Sequence, residues 1–192
     1  MYSMLAIGFS AGGIPLIKRV LKALPENYPL PIAIVAHLGA GEPNHFAEML
    51  DASTCLPVSM ALDKEVILPG RVYIAPPDYH LLVEQNQHSV RSFALSLDEP
   101  VRSVRPSIDV LFESAAEVFE SGLIALLLSG ANSDGVDGMA FVKQLGGLGI
   151  VLDPGECEYS TMSEAVIRKV EVDYVVSLDE IISLLLSVHE AT

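Results

Sequence analysis

Short apolar runs alternate with amphipathic stretches along nearly the whole chain. Residues 4–9 form the first run, and an amphipathic stretch follows over 14–24. Residues 31–36 are continuously apolar, as expected of a strand buried on both faces. A loop containing Gly39, Gly41 and Pro43 comes next, then a helix over about 44–51. Residues 58–61 read as a strand, and 66–70 with 71–76 read as a strand pair around a Pro-Gly turn. Residues 80–83 and 88–95 alternate as a hairpin around Asn86. After a polar, irregular segment at 97–106, residues 107–121 read as a helix. Its apolar face carries Ile108, Leu111, Phe112, Ala115 and Val118, with Ser107 as N-cap and Asp109 in the first turn. Strands follow at 123–128, 149–152 and 172–176, and helices at 136–145, 163–170 and 178–190.

This alternation predicts an α/β fold. It is a three-layer, doubly wound, mostly parallel sheet with helices on both faces and a small antiparallel hairpin. In such sheets ligands bind beyond the carboxyl ends of the strands. Ser10, His37 and Asp134 each follow a predicted buried strand at that end. Ser10 sits in Gly8-Phe9-Ser10-Ala11-Gly12-Gly13, a strand-turn-helix pattern that suits an exposed nucleophile. Serine, histidine and aspartate are the residue types of a hydrolytic triad. Ser10 would attack a carbonyl carbon, His37 would carry the proton, and Asp134 would orient the imidazole. Backbone amides around Ala11 and Gly12, and around Gly130, Ala131 and Asn132, are candidates for an oxyanion hole.

Each residue also has a purely structural role open to it. Ser10 suits a helix N-cap, His37 a strand end, and Asp134 a turn before Gly135. Asp137 competes with Asp134, but falls within the next helix and is expected to point away. Asp78, in a Pro-rich turn, is the other competitor. His45, His80, His88 and His189 are expected at the surface or on helix faces. The order serine, histidine, acid differs from that of an α/β-hydrolase. The glycine pattern is not that of a dinucleotide site.

Composition narrows the class. The chain has 192 residues, 51% of them hydrophobic, so one domain with a substantial aliphatic core is expected. A net charge of −14, with only 11 Lys and Arg, argues against nucleic acid or an anionic membrane as partner. No run has the length of a membrane span, and the first residues do not form a signal peptide. Cys55 and Cys157 fit no metal or disulfide pattern and are expected as buried thiols. These features point to a cytoplasmic protein without metal or cofactor.

The motifs resemble those of the chemotaxis methylesterase CheB catalytic domain. The resemblance runs through Gly8 to Gly13, Ala36-His37-Leu38, Leu68-Pro69-Gly70 and residues 73–80. It continues through residues 105–112 and 129–139, and so spans nearly the whole chain in one order. Typical members carry a receiver domain ahead of the catalytic one; this chain begins almost at the catalytic strand, and a single catalytic domain over 1–192 without a receiver domain, open or controlled by a partner in trans, is expected. The resemblance places the family's catalytic serine, histidine and aspartate on Ser10, His37 and Asp134. Oxyanion or substrate contacts would fall on Ala11, Gly12, Gly130, Ala131 and Met162. The implied reaction is hydrolysis of glutamate γ-methyl esters on methyl-accepting chemotaxis receptors, releasing methanol; some members also deamidate receptor glutamines.

The chain departs from the family in several places. Ala11 stands where the family has threonine, Ala131 where it has methionine, and Asn132-Ser133 where it has Gly-Asn. Met162-Ser163 replaces Met-Pro, and Glu156-Cys157-Glu158-Tyr159 adds charge that would repel an acidic receptor helix. Two other readings therefore stand beside the methylesterase: a CheB-like binding or signalling module with weakened turnover, and a serine esterase or amidase on another substrate.

Overall fold

The structure is a computed structural model that describes residues 1–38 and 43–190, apart from the side chains of residues 43, 44, 189 and 190. The expected loop glycines Gly39 and Gly41, and the side chains of Pro43 and His189, lie outside the described residues.

Seven parallel strands form the central sheet. In chain order they are β1 (Met4–Phe9), β2 (Ile32–Ala36), β3 (Val58–Met60), β4 (Val72–Ile74), β7 (Leu123–Leu127), β8 (Leu148–Leu152) and β9 (Tyr174–Val176). Their order across the sheet is β3-β4-β2-β1-β7-β8-β9. A separate antiparallel hairpin pairs β5 (His80–Gln85) with β6 (Arg91–Ser96). The helices are α1 (Gly13–Ala23), α2 (Pro43–Asp51), α3 (Ile108–Phe119), α4 (Val136–Gln144), α5 (Thr161–Lys169) and α6 (Leu178–Glu190).

Every residue of β1, β2 and β7 is buried, which explains their unbroken apolar runs. Alternate β1 residues serve the two faces. Leu5, Ile7 and Phe9 pack with Ile17 and Leu21 of α1, Phe46 and Leu50 of α2, and Ile181 and Leu185 of α6. Met4 and Ala6 pack with Leu111 and Phe112 of α3, Met139 of α4 and Val166 of α5. Each fully buried aliphatic side chain contributes about 1.5–3 kcal/mol, so both faces are needed to hold the sheet. Gly8 breaks the pattern for a reason: a Cβ there would lie 2.4 Å from Ile108 Cγ2. The missing side chain lets the start of α3 press against the end of β1.

Three expectations are corrected. Residues 66–70 do not pair with β4, because β4 already has β2 on one side and β3 on the other. Val66 bridges instead to Ser92 of the hairpin, and Ile67 N–H donates to Arg91 O. His80 is not at the surface: it is 1% exposed at the start of β5. Cys55 is exposed, because the neighbouring Leu56 takes the buried position in the loop after α2, and Cys157 is half-buried.

Candidate active site

All sheet strands are parallel, so their carboxyl ends share one edge. β2, β1 and β7 are adjacent there and deliver His37, Ser10 and the loop carrying Asp134. The chain fills one side of β1 first and the other later, which opens a crevice at this switch point. His37 N–H donates to Phe9 O at 3.0 Å, and Ser10 N–H to Ser129 O at 2.9 Å. These bonds continue the strand ladders one residue past the strands and fix the three loops relative to one another.

Asp134 is fully buried. Its Oδ1 accepts from Ser107 Oγ at 2.8 Å and from Asp109 N–H at 3.1 Å. Its Oδ2 accepts from Ile108 N–H at 2.6 Å and lies 2.9 Å from His37 Nε2. The His37 contact is close, but it falls short of the geometry of a full hydrogen bond. Ser107 does stand at the N-cap of α3, but its hydroxyl caps nothing; the Asp134 carboxylate receives the first amides of that helix instead. The positive end of the helix dipole therefore faces this carboxylate. Burial pushes the Asp134 carboxyl up, but His37, the Ile108 amide, the Ser107 hydroxyl and the Asp109 amide outweigh it and hold it below the usual carboxylate range.

His37 has a side chain only 10% exposed, and its second ring nitrogen, Nδ1, lies 3.1 Å from Asn132 Nδ2. The Ser10 hydroxyl makes no hydrogen bond to either ring nitrogen among the described residues. Ser10 and His37 do line one cavity of about 520 Å³, together with Ala11, Gly12, Leu38 and Glu158. A second cavity of about 500 Å³ is also lined by His37 and Leu38, with Met60, Asp78, Val104 and Arg105.

The turn after Ser10 is shaped by Gly12, whose φ of 76° makes it the left-handed N-cap of α1. No acidic residue occupies the first turn of α1. The N–H groups of Ala11 and Gly12 have no partner among the described residues, so they remain available as donors beside Ser10. The N–H of Ala131 is likewise unpartnered, and Ala131 is exposed. Two other expected contacts are placed differently. Gly130 N–H already donates to Tyr159 O at 3.0 Å, leaving no proton for an oxyanion. Met162 is fully buried and packs against Gly130, where a Cβ would meet its Sδ at 2.7 Å. Met162 thus supports the floor of the site rather than lining it.

Asp137 lies on α4 and is largely exposed, as its helical position predicts, and it pairs with Arg102. Asp78 is exposed at the rim of the second cavity. Of the two added acids, Glu156 turns away to accept Leu178 N–H at the start of α6, and Glu158 lines the Ser10 cavity.

Four residues that serve the site were not singled out from sequence for these roles. Asn132 contacts His37, and Ser107 holds Asp134. Ser129 Oγ donates to Ala11 O at 2.8 Å and accepts Tyr159 N–H at 3.1 Å, tying the Ser10 turn to the 153–160 loop. His80 Nδ1 accepts Ser107 N–H at 3.2 Å, while Nε2 lies 3.2 Å from Glu99 O. The closeness of Ser107 to Asp109 in sequence gave no signal of this, because its partners come from distant segments.

The CheB methylesterase family model matches residues 5–185. The chain belongs to the CheB methylesterase family. A Leptospira interrogans protein, provisionally named protein-glutamate methylesterase/protein-glutamine glutaminase, is 42% identical over 98% of this chain and 96% of its own length. A Thermotoga maritima protein-glutamate methylesterase/protein-glutamine glutaminase is 37% identical over 90% of this chain, but only 50% of its own length is covered. The crystal structure of the Thermotoga maritima CheB methylesterase catalytic domain superposes with a TM-score of 0.93 at 34% identity, covering 98% of this chain and 99% of that one. The CheB fold thus accounts for both the parallel sheet and the appended hairpin, and family membership makes the chain a carboxylic ester hydrolase of the methylesterase class. No helix among the described residues is long and apolar enough to cross a membrane.

Proposed function

We propose that this CheB-family chain hydrolyses glutamate γ-methyl esters on methyl-accepting chemotaxis receptors through Ser10, His37 and Asp134. Ser10 Oγ attacks the ester carbonyl carbon as the imidazole Nδ1 takes its proton. The developing oxyanion sits against the N–H groups of Ala11 and Gly12 at the start of α1. Collapse breaks the bond to the methoxy oxygen, which leaves with the proton as methanol. Water then attacks the acyl-enzyme, with His37 again as base, and frees a glutamate carboxylate and Ser10. Asp134 orients the ring and balances its charge through each proton transfer.

The observation that carries this reading is the 2.9 Å approach of Asp134 to His37 beside Ser10, at three adjacent strand ends of a methylesterase fold. A glutamine γ-amide would enter the same acyl-enzyme with ammonia as leaving group, and both activities stand in the relatives' names. The test is methanol release from a methyl-esterified receptor cytoplasmic fragment. Wild type should release methanol and Ser10→Ala should not. Equal release by both proteins, or none from folded wild type, contradicts the proposal.

A further inference from the structure

Both ring nitrogens of His37 already face a polar neighbour. Nε2 faces the Asp134 carboxylate at 2.9 Å, and Nδ1 faces Asn132 Nδ2 at 3.1 Å. The orientation of the Asn132 carboxamide is set by its other end. Its Oδ1 accepts the Asp134 N–H at 3.2 Å, which leaves Nδ2, a donor only, to meet the imidazole. Nδ1 must then accept, so the ring proton resides on Nε2 against Asp134. His37, Asp134 and Asn132 thereby close a ring of three contacts. The one lone pair that could take the Ser10 proton lies inside it. An sp² ring nitrogen has one lone pair, so Asn132 and Ser10 compete for it. This agrees with the absence of a hydrogen bond between Ser10 and His37. The competition is a feature of this chain's sequence, since Asn132 stands where the resembling motif has glycine, which has no side chain to donate.

We infer that Asn132 is a positioning residue that holds His37 in one neutral tautomer and masks its basic nitrogen until substrate displaces the carboxamide. The inference rests on the esterase reading for its consequence in turnover, but its tautomer claim can be read without any reaction. Asn132 is only half-buried in the loop after β7, and its neighbour Ala131 is exposed. Releasing one neutral hydrogen bond is of the size that changes a rate by about three- to tenfold.

The test uses the full chain, ¹⁵N-histidine labelling, and p-nitrophenyl acetate as acylating probe. In wild type, the His37 ¹⁵N signals should show an unprotonated Nδ1 and a protonated Nε2 at neutral pH. Asn132→Ala should mix the tautomers and speed the acylation burst about three- to tenfold, with the gain in the acylation rate rather than in KM. Asn132→Asp keeps the acceptor for Asp134 N–H but replaces the donor facing Nδ1 with an acceptor. It should place a proton on Nδ1 and slow the burst below wild type. A burst in Asn132→Ala at or below the wild-type rate overturns the inference, as does a wild-type Nδ1 that carries the proton. Loss of the wild-type burst on Ser10→Ala separates these outcomes from a failure of the esterase reading: if the burst persists without Ser10, the esterase reading has failed, while the tautomer result still stands or falls by itself.

Discussion

His37 Nε2 lies 2.9 Å from Asp134 Oδ2, across the end of β1 from which Ser10 emerges. The aspartate can approach because its carboxylate is held from behind by the first amides of α3 and the Ser107 hydroxyl. That helix can come so close only because residue 8 is glycine. The pair is thus built by backbone placement first and side-chain chemistry second.

Asp134→Asn keeps the size of this side chain and removes its charge. Its amide group must then face at least one of the donors that Asp134 now accepts. If the three act as proposed, activity should fall roughly a thousandfold or more, as for triads deprived of the acid. Stability should fall by about 3 kcal/mol, as when one partner leaves a buried charged network. Urea unfolding and methanol release check the two effects separately.

Ser107→Ala removes one donor to a buried carboxylate and leaves the two α3 amides in place. The expected cost is about 2 kcal/mol, the usual size for a hydrogen bond to a charged group. His80 should then matter less, because its contact to the Ser107 amide secures a residue that no longer bonds Asp134. A double-mutant cycle between Ser107→Ala and His80→Ala should show coupling; strict additivity would contradict the linkage.

Asp109 gives the fold a defined pH response. Burial pushes its carboxyl up from 3.8 to about 6, with the Gly138 amide opposing and the Asp134 charge adding to the rise. The folded chain therefore holds this proton more tightly than the unfolded chain between those values. Its contribution to stability declines as pH rises through that window. Asp134 acts in the opposite sense and elsewhere: its contribution is present above 3.8 and is lost as pH falls through its lower folded value. Asp109→Asn, which keeps an oxygen for the Gly138 amide 2.8 Å away, should flatten the stability profile between about pH 4 and 6. Urea midpoints measured across that range would show it.

Much of this was legible in the sequence. The apolar runs at the starts of β1, β2 and β7 placed Ser10, His37 and Asp134 at strand ends, because strands buried on both faces leave a continuous signature. The helical position of Asp137 correctly turned it away. What stayed hidden depends on contacts between distant segments. His80 lies in an alternating strand, and nothing local says that its face is covered by the start of α3. Residues 66–70 have strand-like composition, but whether they can pair depends on β4 already having two neighbours. The Gly130 amide looked available because its partner, Tyr159 O, comes from a loop far along the chain.

Gly12→Ala should be costly. The position has φ 76°, and a Cβ would meet Glu158 Cβ and Ser129 Oγ, each at 2.8 Å. About 1–2 kcal/mol of backbone strain is expected. Displacing Ser129 should also loosen the Ser10 turn, so the acylation rate should drop more than substrate affinity. Stopped-flow burst kinetics would separate the two.

Glu158 is the carboxylate in the Ser10 cavity. Glu158→Gln should lower KM for esters flanked by acidic residues and leave esters flanked by neutral residues nearly unchanged. The difference should shrink as salt rises, since exposed charges are screened beyond about 10 Å at 0.1 M. A salt-independent gain would point to shape rather than charge.

The central claim, that Ser10 is the nucleophile of a methylesterase, is tested most directly by trapping the acyl-enzyme. Rapid acid quench during turnover of a methyl-esterified receptor peptide, followed by peptide mass mapping, would locate the adduct. The expected result is a glutamyl adduct on the peptide carrying Ser10, absent in Ser10→Ala. Methanol release at the wild-type rate by Ser10→Ala, or an adduct on any other residue, would contradict it.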